Sequence, residues 1–397
     1  MTKLINLTVF KQFFRSSSAG GILLIFCVIF SLIIANSAIA ESFANFLNRE
    51  LGFNTAYLHL RYPLILWIND GLMAVFFLLV GLEIKREIIE GELSSLKQAS
   101  LPVLAAFGGV AVPALIYALF NSSHPETAHG WGIPMATDIA FALGILSLLG
   151  SRVPTGLKIF LAALAIVDDL IAILVIAIFY SGDLQFQYLG YAAAILALLI
   201  VFNRLGFTKI WMYVLPGIAM WYFIHHSGVH ATIAGVLTAL TLPTTPGSDE
   251  SALEKLEHML TRPVNFIIMP IFAIANTNIT FESGMVEGLV SNLGFGIIFG
   301  LFLGKPIGIF LMSYLSVKFK IAQLPENTNW THVLGLGLLG GIGFTMSIFI
   351  ALLSFNVVAY QTEAKFAVLV ASILSGVCGF LLLKMSSKKN QIPVKEV

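Results

Sequence analysis

From Ala19 to Lys384 the chain is a succession of apolar runs, each near the roughly 20 helical residues that cross a hydrocarbon core about 30 Å thick. Short polar connections, many carrying Lys or Arg, separate them. The pattern predicts twelve spanning helices, at about 19–40, 64–82, 98–120, 131–150, 156–180, 186–203, 209–224, 227–242, 263–279, 292–316, 331–353 and 363–384. The runs are continuous, whereas the strands of a membrane barrel alternate over about ten residues, which argues against a barrel. The expected fold class is an all-α polytopic membrane protein, with residues 1–397 forming one integral membrane domain. The two largest polar connections, Glu41 to Pro63 and Pro243 to Arg262, read as solvated loops. The second carries the turn-rich PTTPGSDES before a short helical EKLEHML.

Basic residues orient this set, because short cytoplasmic loops hold the excess of Lys and Arg. With the N-terminus inside, the cytoplasmic group comprises Lys3, Lys11, Arg15, Lys85, Arg86, Lys97, Arg152, Lys158, Arg204, Lys209, Lys255, Arg262, Lys318, Lys320, Lys384, Lys388, Lys389 and Lys395. Those are 18 of the 22 basic residues. Arg49, Arg61 and Lys365 fall outside, and Lys305 lies within a span. Both termini are therefore expected in the cytoplasm. Lys3, Lys11 and Arg15 ahead of an apolar run ending in Ala38-Ile-Ala40 also fit a cleaved signal peptide. Cleavage would leave eleven spans and reverse the loops, so an uncleaved first helix is the simpler reading.

Composition adds to this picture. The chain is 58% hydrophobic and 11% charged, with mean hydropathy +0.91, outside the range of soluble domains. A net charge of +1 gives no reason to expect a nucleic acid partner. Cys27 and Cys378 both lie in apolar spans and read as small core residues.

The candidate chemistry is a short set of ionisable residues inside spans: Asp70, Asp138, Asp168, Asp169 and Lys305, with Glu83 at a cytoplasmic border. A charge at the centre of a spanning helix costs about 2.5–3.5 kcal/mol, so a functional role is the default expectation. The stretch AIVDDLIAIL puts Asp168 and Asp169 at the middle of span five, the depth of Lys305 in span ten. A salt bridge joining helices accounts for Lys305 and one carboxylate. It leaves the other unexplained. Adjacent helical positions point about 100° apart, so one aspartate faces Lys305 while the other lines a neighbouring cavity. Two acids this close resist losing both protons at once. The set describes a site of hard oxygens that holds either a proton or a small cation, with Thr and backbone carbonyls completing the shell. Without Cys or His nearby it does not suit zinc, copper or iron.

Two further segments are unusual for helices. HGWGIPMATDIAFALG sets Gly132 and Pro134 before Thr137 and Asp138 in span four; LGLGLLGGIGFTMS crowds Gly335, Gly337, Gly340, Gly341 and Gly343 into span eleven. Seven spans apart, these two run in opposite directions. Paired Gly/Pro-interrupted helices in two halves point to inverted repeats around a midplane site, here spans 3–5 and 10–12, with spans 4 and 11 discontinuous. Broken helices leave dipole ends in the bilayer, and Asp138 and Lys305 have the charges to neutralise them.

The strings WINDGLMAVFFLLVGLEIKREIIEGEL, MATDIAFALGILSLLGSRVP, FLAALAIVDDLIAILVIAIFY, SGVHATIAG, GKPIGIF and GGIGFTMSIFIA, in this order, resemble the NhaA-type sodium/proton antiporters over essentially the whole chain. That family is itself a standing example of inverted repeats, so pattern and resemblance are one line of support. The resemblance implies electrogenic, pH-regulated export of sodium, and of lithium, against external protons across a bacterial inner membrane. It implies no cofactor beyond the transported ions. By the same resemblance Asp169 is the principal sodium ligand, Asp168 the partner of Lys305, Thr137 an auxiliary ligand, and Asp138 the balance of crossed half-helices. Glu83, Lys85, Arg86 and Glu87, with Glu257 and His258, match pH-responsive positions, as does His230. One departure is visible: after LEHML the chain reads Thr261-Arg262-Pro263, where the family pattern has a His before Pro. The resemblance also implies a homodimer through an external β-hairpin within 41–61.

Two other classes compete with this reading. An intramembrane aspartyl hydrolase needs two carboxylates from different helices flanking a water, for which Asp138 and Asp168 would serve. It has no use for a lysine at the same depth. A passive cation channel would conduct without protonatable ligands.

Overall fold

The computed structural model describes residues 19–55, 58–245, 251–281 and 285–388. The basic residues Lys3, Lys11, Arg15, Lys389 and Lys395, and with them the signal-peptide reading, lie outside the described residues, as does most of PTTPGSDES.

Helix α1 (Ala19–Ala35) turns by 112° into α2 (Ala40–Leu47), and a two-stranded antiparallel hairpin follows, β1 (Glu50–Leu51) with β2 (Tyr62–Pro63). The connection after residue 40, read from its polarity as a solvated loop and by resemblance as holding a hairpin within 41–61, forms a helix and a hairpin whose second strand lies just past that range. Next come α3 (Leu64–Ile89) and α4 (Leu96–Asn121). Helix α5 (Pro125–Met135), mostly 3-10, bends by 43° into α6 (Ile139–Leu148). Then α7 (Thr155–Phe179), α8 (Phe186–Arg204), α9 (Trp211–His226), α10 (Ile233–Thr241), α11 (Ala252–Asn276) and α12 (Asn292–Lys318) follow. Finally α13 (Trp330–Gly340) bends by 46° into α14 (Phe344–Ser354), and α15 (Val358–Lys388) ends the described chain.

Among the described residues, seven helices are long and apolar enough to cross a membrane, or up to ten if each bent pair counts as one. The remaining two, α9 and α10, have 16 and 9 residues. The span expected at 227–242 is helical only from Ile233; a turn through Gly228, at φ +84°, leads into it. A second correction concerns EKLEHML, expected to be a separate cytoplasmic helix. It is the first part of α11, which continues through Pro263. The ring removes an N–H and crowds the preceding turn, and the π-helical turn Val264–Ile268 directly after it absorbs the change of register.

Helix α7 is the central element, two-thirds buried where α8 is almost wholly peripheral. Around it pack α3, α4, α5, α6 and α13. Helices α4 and α12 cross at glycines: a Cβ on Gly308 would lie 2.0 Å from the Gly108 carbonyl oxygen. That approach brings the backbone of α12 against α4 one turn beyond Lys305, at the centre of the molecule.

Candidate functional site

The two bends meet. Between α5 and α6 the backbone is extended at Ala136 and Asp138, and the Asp138 amide donates to the Ile342 carbonyl in the opposite bend, at 2.7 Å. Helix ends at this depth leave amides and carbonyls without water, and side chains take them up. Asp138 caps α6 through Phe141 N at 3.0 Å, and its other oxygen accepts from Thr345 N at 3.1 Å and from the Thr345 hydroxyl. One carboxylate therefore faces the N-terminal, positive ends of two helices. Donors meet the carbonyl ends: Lys305 Nζ donates to Met135 O, Thr137 Oγ1 lies 2.9 Å from Gly340 O, and Ser347 Oγ donates to Ile133 O at 2.7 Å.

Lys305 is aimed by its own helix. The π-helical turn Gly300–Gly304 ends at Lys305 and Pro306 follows it, so the side chain leaves α12 where the regular ladder is interrupted. Its ammonium stands 2.7 Å from Asp168 Oδ2, and neither side chain has any exposure. Thr137 Oγ1 is 2.7 Å from the same oxygen. A hydroxyl has one proton, so Thr137 serves Asp168 or Gly340 at any moment, not both. Asp169, 2% exposed, is different. Among the described residues its Oδ1 has no hydrogen-bond partner, and neither has Asp168 Oδ1. A carboxylate buried so far from water without a partner needs a proton or a cation.

The sequence therefore singled out Thr137, Asp138, Asp168, Asp169 and Lys305, and the structure gathers them where the bends meet. Thr345 and Ser347 complete the arrangement although no sequence pattern singled them out. Hydroxyls are inexpensive in a span; the available signal was their place directly after a glycine-rich bend. Asp70, also flagged, is elsewhere: it pairs with His225 at 3.2 Å, beside the Tyr62 ring at the base of the hairpin. Asp138 has both oxygens engaged, which leaves it unsuited to flank a hydrolytic water with Asp168.

The residues matched to pH response divide. Arg86 Nε reaches both oxygens of Glu257, at 3.1 and 3.0 Å, and its Nη1 reaches Glu87 at 2.9 Å, tying α3 to α11. Glu83 lies one turn back on α3, half-buried. Lys85 has a separate task, donating to the carbonyls of Leu240 and Leu242 at 2.8 and 2.5 Å and so capping α10. His258 is exposed and outside the Arg86–Glu257 pair. His230 is apart from all of these, its Nε2 2.8 Å from the Tyr180 carbonyl just past the end of α7.

Comparison with known proteins agrees along the full length. The chain is 72% identical to Na+/H+ antiporter NhaA 2 of Flavobacterium johnsoniae, over 98% of this chain and 96% of that one. It is 49% identical to Na+/H+ antiporter NhaA of Flavobacterium psychrophilum, over 98% of each. It is 48% identical to Na+/H+ antiporter NhaA of Escherichia coli O1:K1 / APEC, over 94% of this chain and 97% of that one. The sequence profile described as Na+/H+ antiporter 1 matches residues 11–383, and the chain belongs to that family.

Proposed function

We propose that this protein exports sodium, and lithium, from the cytoplasm of a bacterium in exchange for external protons, through competition for one site at Asp168 and Asp169. The observation that carries the reading is Asp169. Asp138 is compensated by helix dipoles and Asp168 by Lys305, whereas Asp169 Oδ1 is buried without a partner among the described residues. Its complement is an exchangeable cation: a proton in one state, sodium in the other, with Asp168 and Thr137 as further oxygen ligands. No cofactor is needed. The chain crosses the inner membrane twelve times, with α9 and α10 as short crossings and each of the bent pairs α5–α6 and α13–α14 as one interrupted span. These interrupted spans belong to inverted repeats over spans 3–5 and 10–12, and both termini are cytoplasmic. Rocking of the repeats exposes the site alternately to each side, and moving more than one proton per cation makes the exchange electrogenic. The Arg86–Glu257 bridge, with Glu83 and Glu87, regulates access by pH from the cytoplasmic side. Two copies pair through the external hairpin.

Exchange measured in everted vesicles across sodium and pH tests this. Competition requires acidification to raise the apparent sodium KM, with saturating sodium restoring the rate, and sodium binding to release protons from detergent-solubilised protein in unbuffered solution. A sodium KM that does not change with pH, with no proton release, would refute the shared site.

A further inference from the structure

Helix α14 begins without a cap of its own. Gly343 occupies the position where Ser, Thr, Asp or Asn commonly accepts an orphan amide, and it has no side chain to offer. Nor is there room for one: a Cβ on Gly343 would stand 2.1 Å from Ser347 Oγ and 3.0 Å from Leu301. Phe344 and Thr345 are buried, so their amides have no water to turn to. Other elements take them. Asp138 accepts from Thr345 N, and Ser372 Oγ, on α15, accepts from Phe344 N at 3.1 Å.

We propose that Ser372 is a positioning residue for cation exchange, capping α14 from a neighbouring helix and thereby fixing the bend that supplies Gly340 and Thr345 to the site. This rests on the reading of the crossing as the transport site. The transmission is short. Phe344 leads directly into Thr345, whose hydroxyl and amide hold Asp138, and the Phe344 ring lies edge-on to Phe141 in the first turn of α6, with centroids 5.0 Å apart. On the other side of the bend, Gly340 O meets Thr137, which also meets Asp168. A shift of the first turn of α14 is therefore felt at the proposed sodium ligands without removing any of them.

Helix α15 provides its own control. Ser375 lies one turn from Ser372 and is fully buried, yet its hydroxyl has no hydrogen-bond partner among the described residues. Both serines lose the same atom on substitution by alanine; only Ser372 loses a bond. In everted vesicles, Ser372→Ala is expected to raise the sodium KM roughly 3- to 10-fold, the scale of a lost N-terminal cap, with maximal rate changed less than twofold. Ser375→Ala is expected to keep the wild-type KM. A Ser372→Ala KM within twofold of wild type overturns the proposal, as does an equal rise in Ser375→Ala, which would mark a packing effect. Should Ser372→Ala fail to insert, Ser372→Thr, which keeps the acceptor, must exchange with near wild-type KM, and a raised KM there is equally fatal. Exchange that survives Asp169→Asn would overturn the site reading and this proposal with it. With Asp169→Asn inactive and Ser372→Ala normal, only the role of Ser372 falls.

Discussion

The three aspartates at the meeting of the bends differ in what stands opposite them, and this difference sets what each substitution does. Asp169 has an oxygen without a partner among the described residues. Asp169→Asn keeps the shape and removes the charge, so exchange is expected to vanish while the melting temperature in detergent holds or rises, since the site no longer needs a bound proton or cation to balance a buried carboxylate. Sodium-driven proton movement near the wild-type rate in that variant would sink the two-aspartate mechanism. Lys305→Ala is the opposite case. It strands Asp168 in a dry interior, and breaking such a pair costs about 3–5 kcal/mol, so both stability and transport should fall. Removing both charges, as Asp168→Asn with Lys305→Met, should recover stability but not exchange; a higher melting temperature in Lys305→Ala alone would contradict the ion-pair account. The aspartates were legible in the sequence because a charge in an apolar run is expensive and therefore conspicuous. Thr345 and Ser347 were not, because a hydroxyl in a span carries no such cost and acquires its role only when another helix arrives.

Elements show where local pattern reaches its limit. Gly/Pro runs stand at both bends, because closely spaced glycines and prolines weaken a helix together, whereas single prolines such as Pro102 and Pro113 stay inside α4. The start of α11 was misplaced for the converse reason: Pro263 resembles a boundary, and only the π-helical turn after it carries the helix onward. The crossing of α4 and α12 was equally hidden, since a glycine in a span does not declare its partner. Gly308→Ala tests that contact. Its Cβ would meet backbone, which cannot rotate away as a side chain can, so the helices must separate close to Lys305. A loss of about 1–3 kcal/mol or more is expected, seen as a lower melting temperature, together with slower exchange. Gly190→Ala on the peripheral α8, where nothing among the described residues lies within 4 Å, is the matched control and should lower neither. Equal behaviour of the two variants would remove the crossing from the account of how Lys305 is held.

At the scale of the molecule, the apolar runs and the basic loops were sufficient to expect a polytopic helical membrane protein, because the bilayer imposes its thickness and charge asymmetry on any sequence that crosses it. Apolar length did not reveal the hairpin, since its strands are two residues each and its residues are mixed in character. Its root is tied to α9: Tyr62 packs edge-on to His225 and its hydroxyl lies 3.3 Å from His226, while the His59 amide reaches Tyr222. Beyond the root, Phe53 and Leu58 are exposed, and a two-stranded ribbon leaves its edges open to another chain. In the proposed dimer a second copy related by a two-fold axis would present the same edge. Replacing residues 52–60 by a short flexible link is therefore expected to give monomers by crosslinking in vesicles and by size in detergent. The crossing lies among helices of a single copy, so these monomers should still exchange sodium for protons with an unchanged sodium KM. Dimers that persist after the replacement would show that another surface joins the copies, and a lost exchange activity in well-folded monomers would show that the site depends on the partner.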